Sequence, residues 1–505
     1  MRKSFARNAV LLGISTISVR LMGFLFRLLL AHQLTARELG VYQLVLPVVG
    51  IIGAICASGL PDAVARLTAR MGGAPSKRLL RISLLLALVT SLPLSALLLF
   101  GNGLMATHLF GEASAAPILL ALTPLPPLLA VSAVYQGVCL GREDAFHPGL
   151  ANFCDQALRM AATIGIWAAM GDRYPGLFAA SAYFCMSLGQ SIGMAVLRRG
   201  GRRGIAKDGG VDIRLRNLTA QAAPMTASQL LSSGMRAINE LLMPLFIMGT
   251  GLTRSEALAQ YGMVTGMAIP IAFIPMSLLA PLSTLLSPGI AAQKARSEDQ
   301  EAQNRAWRSL HFSLIVTSLA AAVVFAWAPQ IAHFLYHRDD VAYYIRLVCP
   351  IIPMSGLMGL LSSTLLGLGE ARKMFLIRVS MDATYVALAA LFIPRIGWLG
   401  YTVVHLLQGT LTLFLMLRVM RKSGLRVKLP QGLLKAYFCA AVGAVAGLLC
   451  NQFVPLATPL ACCIAHGIAA WGLGLYPPLR KLKALRPGTR LAGILRPAKG
   501  RNPAR

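Results

Sequence analysis

Acidic residues are scarce in this chain of 505 residues: 18 Asp and Glu stand against 48 Lys and Arg. Charge of either sign is thin, at 13% of residues, while 56% are hydrophobic and the mean hydropathy is +0.65. An ordinary soluble domain carries about twice that share of charge. The composition therefore excludes a soluble globular domain and a disordered chain. The nine cysteines contain no CxxC pair and no metal-ligand spacing, which excludes a zinc module or a thioredoxin-like redox motif. Most of them, such as Cys56, Cys139, Cys154, Cys349 and Cys439, fall in apolar runs, as small packing residues do. The chain also lacks any hydrophilic stretch that could fold by itself, because the largest, near 198–217, is too short for a domain. The first apolar run is too long and too polar within to be a cleavable signal, and no A-x-A-like exit follows it.

Apolar runs dominate what is present. Windows of about 20 residues place spans near 9–31, 39–62, 79–100, 115–140, 149–170 and 175–197. A second group lies near 218–248, 258–290, 309–335, 341–368, 373–394 and 397–420, and two more near 433–454 and 456–478. With about fourteen spans, both ends fall on one side.

The net charge of +30 follows that topology. Arg66, Arg70, Lys77, Arg78 and Arg81 fill one loop on the side of the ends, and Arg198, Arg199, Arg202, Arg203, Lys207, Arg214 and Arg216 fill the next. Lys294, Arg296, Arg305 and Arg308, then Arg418, Arg421, Lys422, Arg426 and Lys428, continue the series up to a basic tail. Opposite loops carry single arginines at most: Arg37, Arg173, Arg254, Arg338 and Arg395. Such asymmetry is the positive-inside pattern and predicts cytoplasmic ends. The excess charge is topological, so no nucleic-acid partner is expected, and the tail reads as an anchor near anionic membrane lipid.

The two groups of six spans resemble each other in order. Thr123-Pro-Leu-Pro-Pro is expected to open the fourth span and Cys349-Pro-Ile-Ile-Pro the tenth, each followed by a glycine (Gly141; Gly367 or Gly369), a polar turn and a helix holding an Arg and an Asp. Those helices carry Asp155 with Arg159, and Arg378 with Asp382, while Arg20 has a rough counterpart in Arg236. A repeat of six spans keeps its orientation, which predicts two lobes related by an axis along the membrane normal with a cavity between them. The expected fold is an all-α polytopic membrane protein with two six-helix lobes and two further C-terminal helices. The expected division is 1–200 for the first lobe, 201–217 for a basic cytoplasmic linker, 218–422 for the second lobe, 423–480 for the two extra helices and 481–505 for a basic cytoplasmic tail.

Arginines at membrane depth are the functional signal. A guanidinium keeps its charge and costs several kcal/mol inside a bilayer unless a cavity or partner receives it. Arg20, Arg27, Arg159, Arg236 and Arg346 meet that description, and Arg378 lies at its edge. Asp155/Arg159, Arg236/Glu240 and Arg378/Asp382 are i,i+4 pairs that can act as struts or in coupling. Arg20 and Arg27 have no acid in their own span and share one helix face, about 10 Å apart along the axis. Two such cations suit a cargo with separated anionic groups, such as a pyrophosphate joined to a sugar, with Ser15, Thr16, Ser18 and Gln33 nearby for hydrogen bonds. Arg20 is the more central of the two. Arg236 and Glu240 are further cavity candidates. No catalytic residue, metal site or resident cofactor is expected, although Glu240 and Asp382 could bind Na⁺ or carry a proton for coupling.

The first span, Arg20-Leu-Met-Gly-Phe-Leu-Phe-Arg27, with Leu39-Gly-Val-Tyr42, Ser58-Gly-Leu-Pro61, Leu122-Thr-Pro124 and the Asp155-Gln-x-x-Arg159 element, resembles a known family. It is similar to the multidrug/oligosaccharidyl-lipid/polysaccharide flippase superfamily, in its polysaccharide transporter branch and nearest the stage V sporulation protein B group. The related lipid II flippases read R-x-x-G-F-x-R in this helix; here Phe26 falls on the second arginine position, and a further cationic position falls at Thr265. The resemblance implies a monomeric flippase of undecaprenyl-pyrophosphate-linked sugars working by alternating access, with lipid II itself a less suitable cargo. A multidrug/cation antiporter of the same superfamily is the nearest alternative. A membrane glycosyltransferase or polymerase fits less well, because the opposite loops carry little chemistry.

Overall fold

A computed structural model describes residues 2–170, 175–202, 215–277, 279–425, 430–473 and 475. Most of the expected linker and all of the expected tail lie outside the described residues. The first lobe runs through α1 (Arg2–Gln33), α2 (Ala36–Ala57), α3 (Gly59–Arg70), α4 (Lys77–Leu104), α5 (Ala116–Ala121), α6 (Leu125–Gly141), α7 (Phe146–Met170) and α8 (Phe178–Arg202). The second has α9 (Leu215–Met248), α10 (Arg254–Gly262), α11 (Ile269–Ser277), α12 (Ala280–Ala295), α13 (Asp299–Ala326) and α14 (Ala328–Tyr336). It continues with α15 (Val341–Val348), α16 (Ile351–Gly367), α17 (Ala371–Ile396) and α18 (Trp398–Lys422), after which α19 (Pro430–Phe453) and α20 (Thr458–Gly472) pack on each other and on α13.

The internal repeat is visible in the packing partners. In the first lobe α1 packs on α7, α7 on α8, α3 and α4 on α6, and α6 on α8. In the second, α9 packs on α17, α17 on α18, α12 and α13 on α16, and α16 on α18. Local signals repeat too. A Thr-x-x-Glu capping box starts α2 (Thr35, Glu38) and α10 (Thr253, Glu256), each satisfying two backbone N–H groups at the helix start.

Ten helical runs are long and apolar enough to cross a bilayer, or eleven with α15 and α16 taken together across their 45° bend. Three more, α1, α7 and α9, have 32, 25 and 34 residues, long enough to cross a bilayer, and with them the helices are consistent with the expected count of about fourteen spans. They are also the helices that hold Arg20 and Arg27, Asp155 and Arg159, and Arg236 and Glu240. A spanning helix that holds such charges must turn them toward protein or a water-filled space.

One expectation is corrected. The proline motifs at Thr123 and Cys349 do not open spans four and ten; they break them. One span stops with α5 at Ala121 and resumes with α6 at Leu125, and the other stops with α15 at Val348 and resumes with α16 at Ile351. Proline lacks the N–H that would close the helical bond to the preceding turn, so carbonyls there need other donors. The structure supplies one at Thr123, whose i+4 residue is Pro127: Ser95 Oγ donates to the Thr123 carbonyl at 2.8 Å. At the other break the Tyr437 hydroxyl donates to the Pro350 carbonyl at 2.8 Å, tying α19 to it.

Asp155 and Arg159 approach to 3.7 Å and sit at the seam of α7 with α8, where Gly189 lies against the Asp155 side chain and its carbonyl. The pair faces this packing seam, as a strut does. A methyl at Gly189 would collide with both groups. Gly189→Ala is therefore expected to cost about 1–3 kcal/mol, read as a lower unfolding temperature of the detergent-solubilised protein. An unchanged temperature would contradict this packing.

Candidate functional site between the lobes

A cavity of about 320 Å³ lies where the two lobes meet. The first lobe gives it Arg27 from α1 with Gln43 and Leu46 from α2. The second lobe gives the rest. Arg236, Asn239, Glu240 and Met243 line it from α9, at the i, i+3, i+4, i+7 spacing of one helix face. Asp382 and Tyr385 come from α17, and Tyr401, His405 and Gln408 from α18, again at face spacing. Tyr261, Thr265 and Ile269 come from the eighth span, where a π-helical turn, Met263–Ala268, joins α10 to α11. Such turns are concentrated at functional sites because the wider turn re-aims side chains.

The aromatic wall is held by directed contacts. His405 lies 4.1 Å from the Tyr401 ring and 4.8 Å from the Tyr385 ring, with its Nδ1 3.0 Å from the Tyr401 carbonyl. Trp398 Nε1 donates to Gln260 Oε1 at 2.8 Å, tying α18 to α10. Arg236 donates to Ser233 Oγ at 3.0 Å. Among the described residues, neither Arg236/Glu240 nor Arg378/Asp382 closes to an ion pair within 4 Å. Asn239 Oδ1 and Asp382 Oδ2 are buried without a hydrogen-bond partner. A buried polar atom left unpaired costs about 1–3 kcal/mol, so these two atoms mark a wall built for something polar.

The residues singled out in the sequence divide accordingly. Arg27, Arg236, Glu240 and Asp382 come together on one cavity, and Thr265 joins them. Arg20 does not line it. Its side chain is exposed, two turns from Arg27, and Ser18 is half-buried further along α1. Arg378 is exposed. Arg346 stacks over the Phe325 ring at 5.7 Å and donates to the Phe325 carbonyl at 3.3 Å, binding α15 to α13. Missed in the sequence were Gln43, Asn239, Tyr261, Tyr385, Tyr401, His405 and Gln408. The Tyr401, His405, Gln408 stripe on an otherwise apolar helix was the signal available for the last three.

Both lobes seal the cavity toward the face where α1 ends and α2 begins. There α2 meets α10 with no side chain between them: Gly40 lies against the Leu258 carbonyl and Gly262 against that of Ala36. Above this seam Arg37 and Glu112 of the first lobe pair at 2.6 Å, and Arg254 of the second lies 3.8 Å from the same carboxylate. Arg254 also donates to the Phe110 carbonyl, beneath which Gly111 adopts φ +59°.

The family model for polysaccharide biosynthesis proteins matches residues 5–292. The chain belongs to that family. It is the polysaccharide branch of the multidrug/oligosaccharidyl-lipid/polysaccharide flippase superfamily, and the MatE model, from another branch, matches residues 224–389. Stage V sporulation protein B of Bacillus subtilis (strain 168) is 22% identical over 386 residues, covering 73% of this chain and 74% of that one. Among solved structures, the inward closed conformation of the lipid II flippase MurJ superposes with a TM-score of 0.72 at 13% identity, covering 91% of this chain and 98% of that one. An inward-facing multidrug resistance MATE family transporter gives 0.65 at 15% identity, covering 81% of this chain and 98% of that one. These structures share the two-lobed fold of the family.

Proposed function

We propose that this polysaccharide biosynthesis family member is a flippase for lipid-linked oligosaccharide or peptidoglycan precursors, undecaprenyl-pyrophosphate sugars, in the bacterial plasma membrane. The observation that carries the reading is the convergence of two cations, Arg27 from the first lobe and Arg236 from the second, on one cavity between the lobes. Paired guanidiniums suit a pyrophosphate, which each can hold bidentately. Around them Gln43, Asn239, Gln408, the tyrosines and His405 offer the hydrogen bonds and faces that sugars use. The relatives point the same way, one named for a sporulation stage and one structure for lipid II flipping. Residues 1–200 and 218–422 would be the two bodies that rock in alternating access, with both ends of the chain cytoplasmic and the protein acting as a monomer.

One observation favours a second reading. Glu240 and Asp382 share the cavity with the arginines, and carboxylates suit a multidrug/cation antiporter or a coupling Na⁺ or H⁺. Purified protein in vesicles separates the two. Translocation of an undecaprenyl-pyrophosphate-linked sugar is the expected result. Export of a cationic dye with no movement of the lipid-linked sugar would replace the flippase with the antiporter.

A further inference from the structure

A second polar pocket, which shares no residue with the cavity, lies at the start of α4. It encloses about 620 Å³ and is lined by Lys77, Arg81 and Arg202 with a wall of leucines and Tyr135. Lys77, Arg81, Leu84 and Leu88 follow one another along one face of α4, so cations sit at the helix start and leucines run on into the span. Arg202, the last residue of α8, closes the opposite side, and the buried Tyr135 of α6 forms the floor. Among the described residues, no carboxylate lines the pocket. Leu85 and Leu88 are 56% and 36% exposed, so the leucine wall is open to lipid.

The shape is that of a phospholipid end-on: positive charge at headgroup level, a greasy slot beneath. The start of a helix of 28 residues adds partial positive charge beside Lys77. Topology puts cations at this level in both lobes, but the second lobe's counterpart, α13, mixes them with Asp299 and Glu301 in its first turn. Basic pockets between spanning helices on the cytoplasmic side hold anionic lipid headgroups.

We infer that the pocket formed by Lys77, Arg81, Arg202 and the leucines of α4 is a binding site for an anionic glycerophospholipid, its phosphate among the three cations and one acyl chain along Leu84 and Leu88. The site is independent of the translocation cavity and does not rest on what that cavity carries.

The test uses the full chain in detergent, with retention of phosphatidylglycerol and phosphatidylcholine read by native mass spectrometry. Each cation at an anionic surface is worth about a fivefold change in affinity, so Lys77→Ala/Arg81→Ala/Arg202→Ala is expected to weaken phosphatidylglycerol retention about a hundredfold. Neutralising Arg418, Arg421 and Lys422 on the same face is expected to leave it unchanged. Leu84→Ser/Leu88→Ser, which keeps every charge, is expected to weaken the lipid without changing competition by inorganic phosphate. Equal retention of the two lipids, or equal losses in the two triple variants, would overturn the site. Full displacement by millimolar inorganic phosphate would make it a free-phosphate site instead. An unchanged unfolding temperature in lipid-free detergent confirms that the variants are folded.

Discussion

Arg27→Ala is expected to cut translocation of an undecaprenyl-pyrophosphate-linked sugar about a hundredfold, and Arg236→Ala by a similar factor. Each guanidinium is assigned a charge-assisted, bidentate contact with the pyrophosphate, worth about 1.5–3 kcal/mol per hydrogen bond. Lysine at either position keeps the charge but loses the fork, so Arg27→Lys should recover part of the rate and not all of it. If both arginines grip one pyrophosphate, the double variant should lose less than the sum of the single free energies. Arg20→Ala is expected to have a smaller effect, since Arg20 lies two turns away and outside the cavity lining. Arg27 is exposed and Arg236 half-buried, so neither removal should unfold the protein. Initial rates in vesicles, at matched protein incorporation, read all five variants. Wild-type rates in both alanine variants would remove the paired-cation grip while leaving the family assignment intact.

The sequence carried the architecture further than the site. Span positions, the six-span repeat and the two extra helices could be read directly, because lipid allows few ways to satisfy a backbone and hydropathy records them. Even the charge-bearing helices α1, α7 and α9 were visible, since a permanent charge in an apolar run is conspicuous. Which of Arg20 and Arg27 lines the cavity was not. Their spacing puts them on one helix face, but which of them meets the other lobe depends on how α1 lies against α2, α11 and α14, and that is a tertiary fact. His405, Tyr385 and Tyr401 were overlooked for a related reason: a His or Tyr in a span costs little and resembles packing until several converge. Pro124 and Pro350 were noticed and misplaced. A proline pair reads equally well as a helix start or as a break, and only the helix ends at Ala121 and Val348 show that these are breaks. Arg37 and Arg254 looked like lone loop arginines, whereas the fold brings both to Glu112.

That convergence leads to a second large effect. In the closed arrangement the far side of the cavity is shut by backbone contact of α2 with α10 and by the Glu112 bridge between Arg37 of one lobe and Arg254 of the other. The Glu112 side chain is only 9% exposed, and the two arginines are partly exposed. Removing its charge should weaken closure by about 1 kcal/mol, because the contact that crosses the lobes is the 3.8 Å ion pair with Arg254, whose side chain is a third exposed. Such a change shifts the balance of open and closed forms about fivefold. Gly40→Val acts more strongly, because its side chain would occupy the space where the Leu258 carbonyl now rests, and overpacking against backbone cannot be relieved by a rotamer change. Spin labels on Thr107→Cys in the first lobe and Thr250→Cys in the second, both exposed at this end, report the separation. Glu112→Gln is expected to add a longer distance to the distribution and Gly40→Val to replace the short one. Alternating access requires each side to close in turn, so Gly40→Val should also reduce translocation at least tenfold while the protein remains folded. A short distance retained in both variants would mean that the seam closes without either contact, and the gate would then have to be sought elsewhere along α2 and α9.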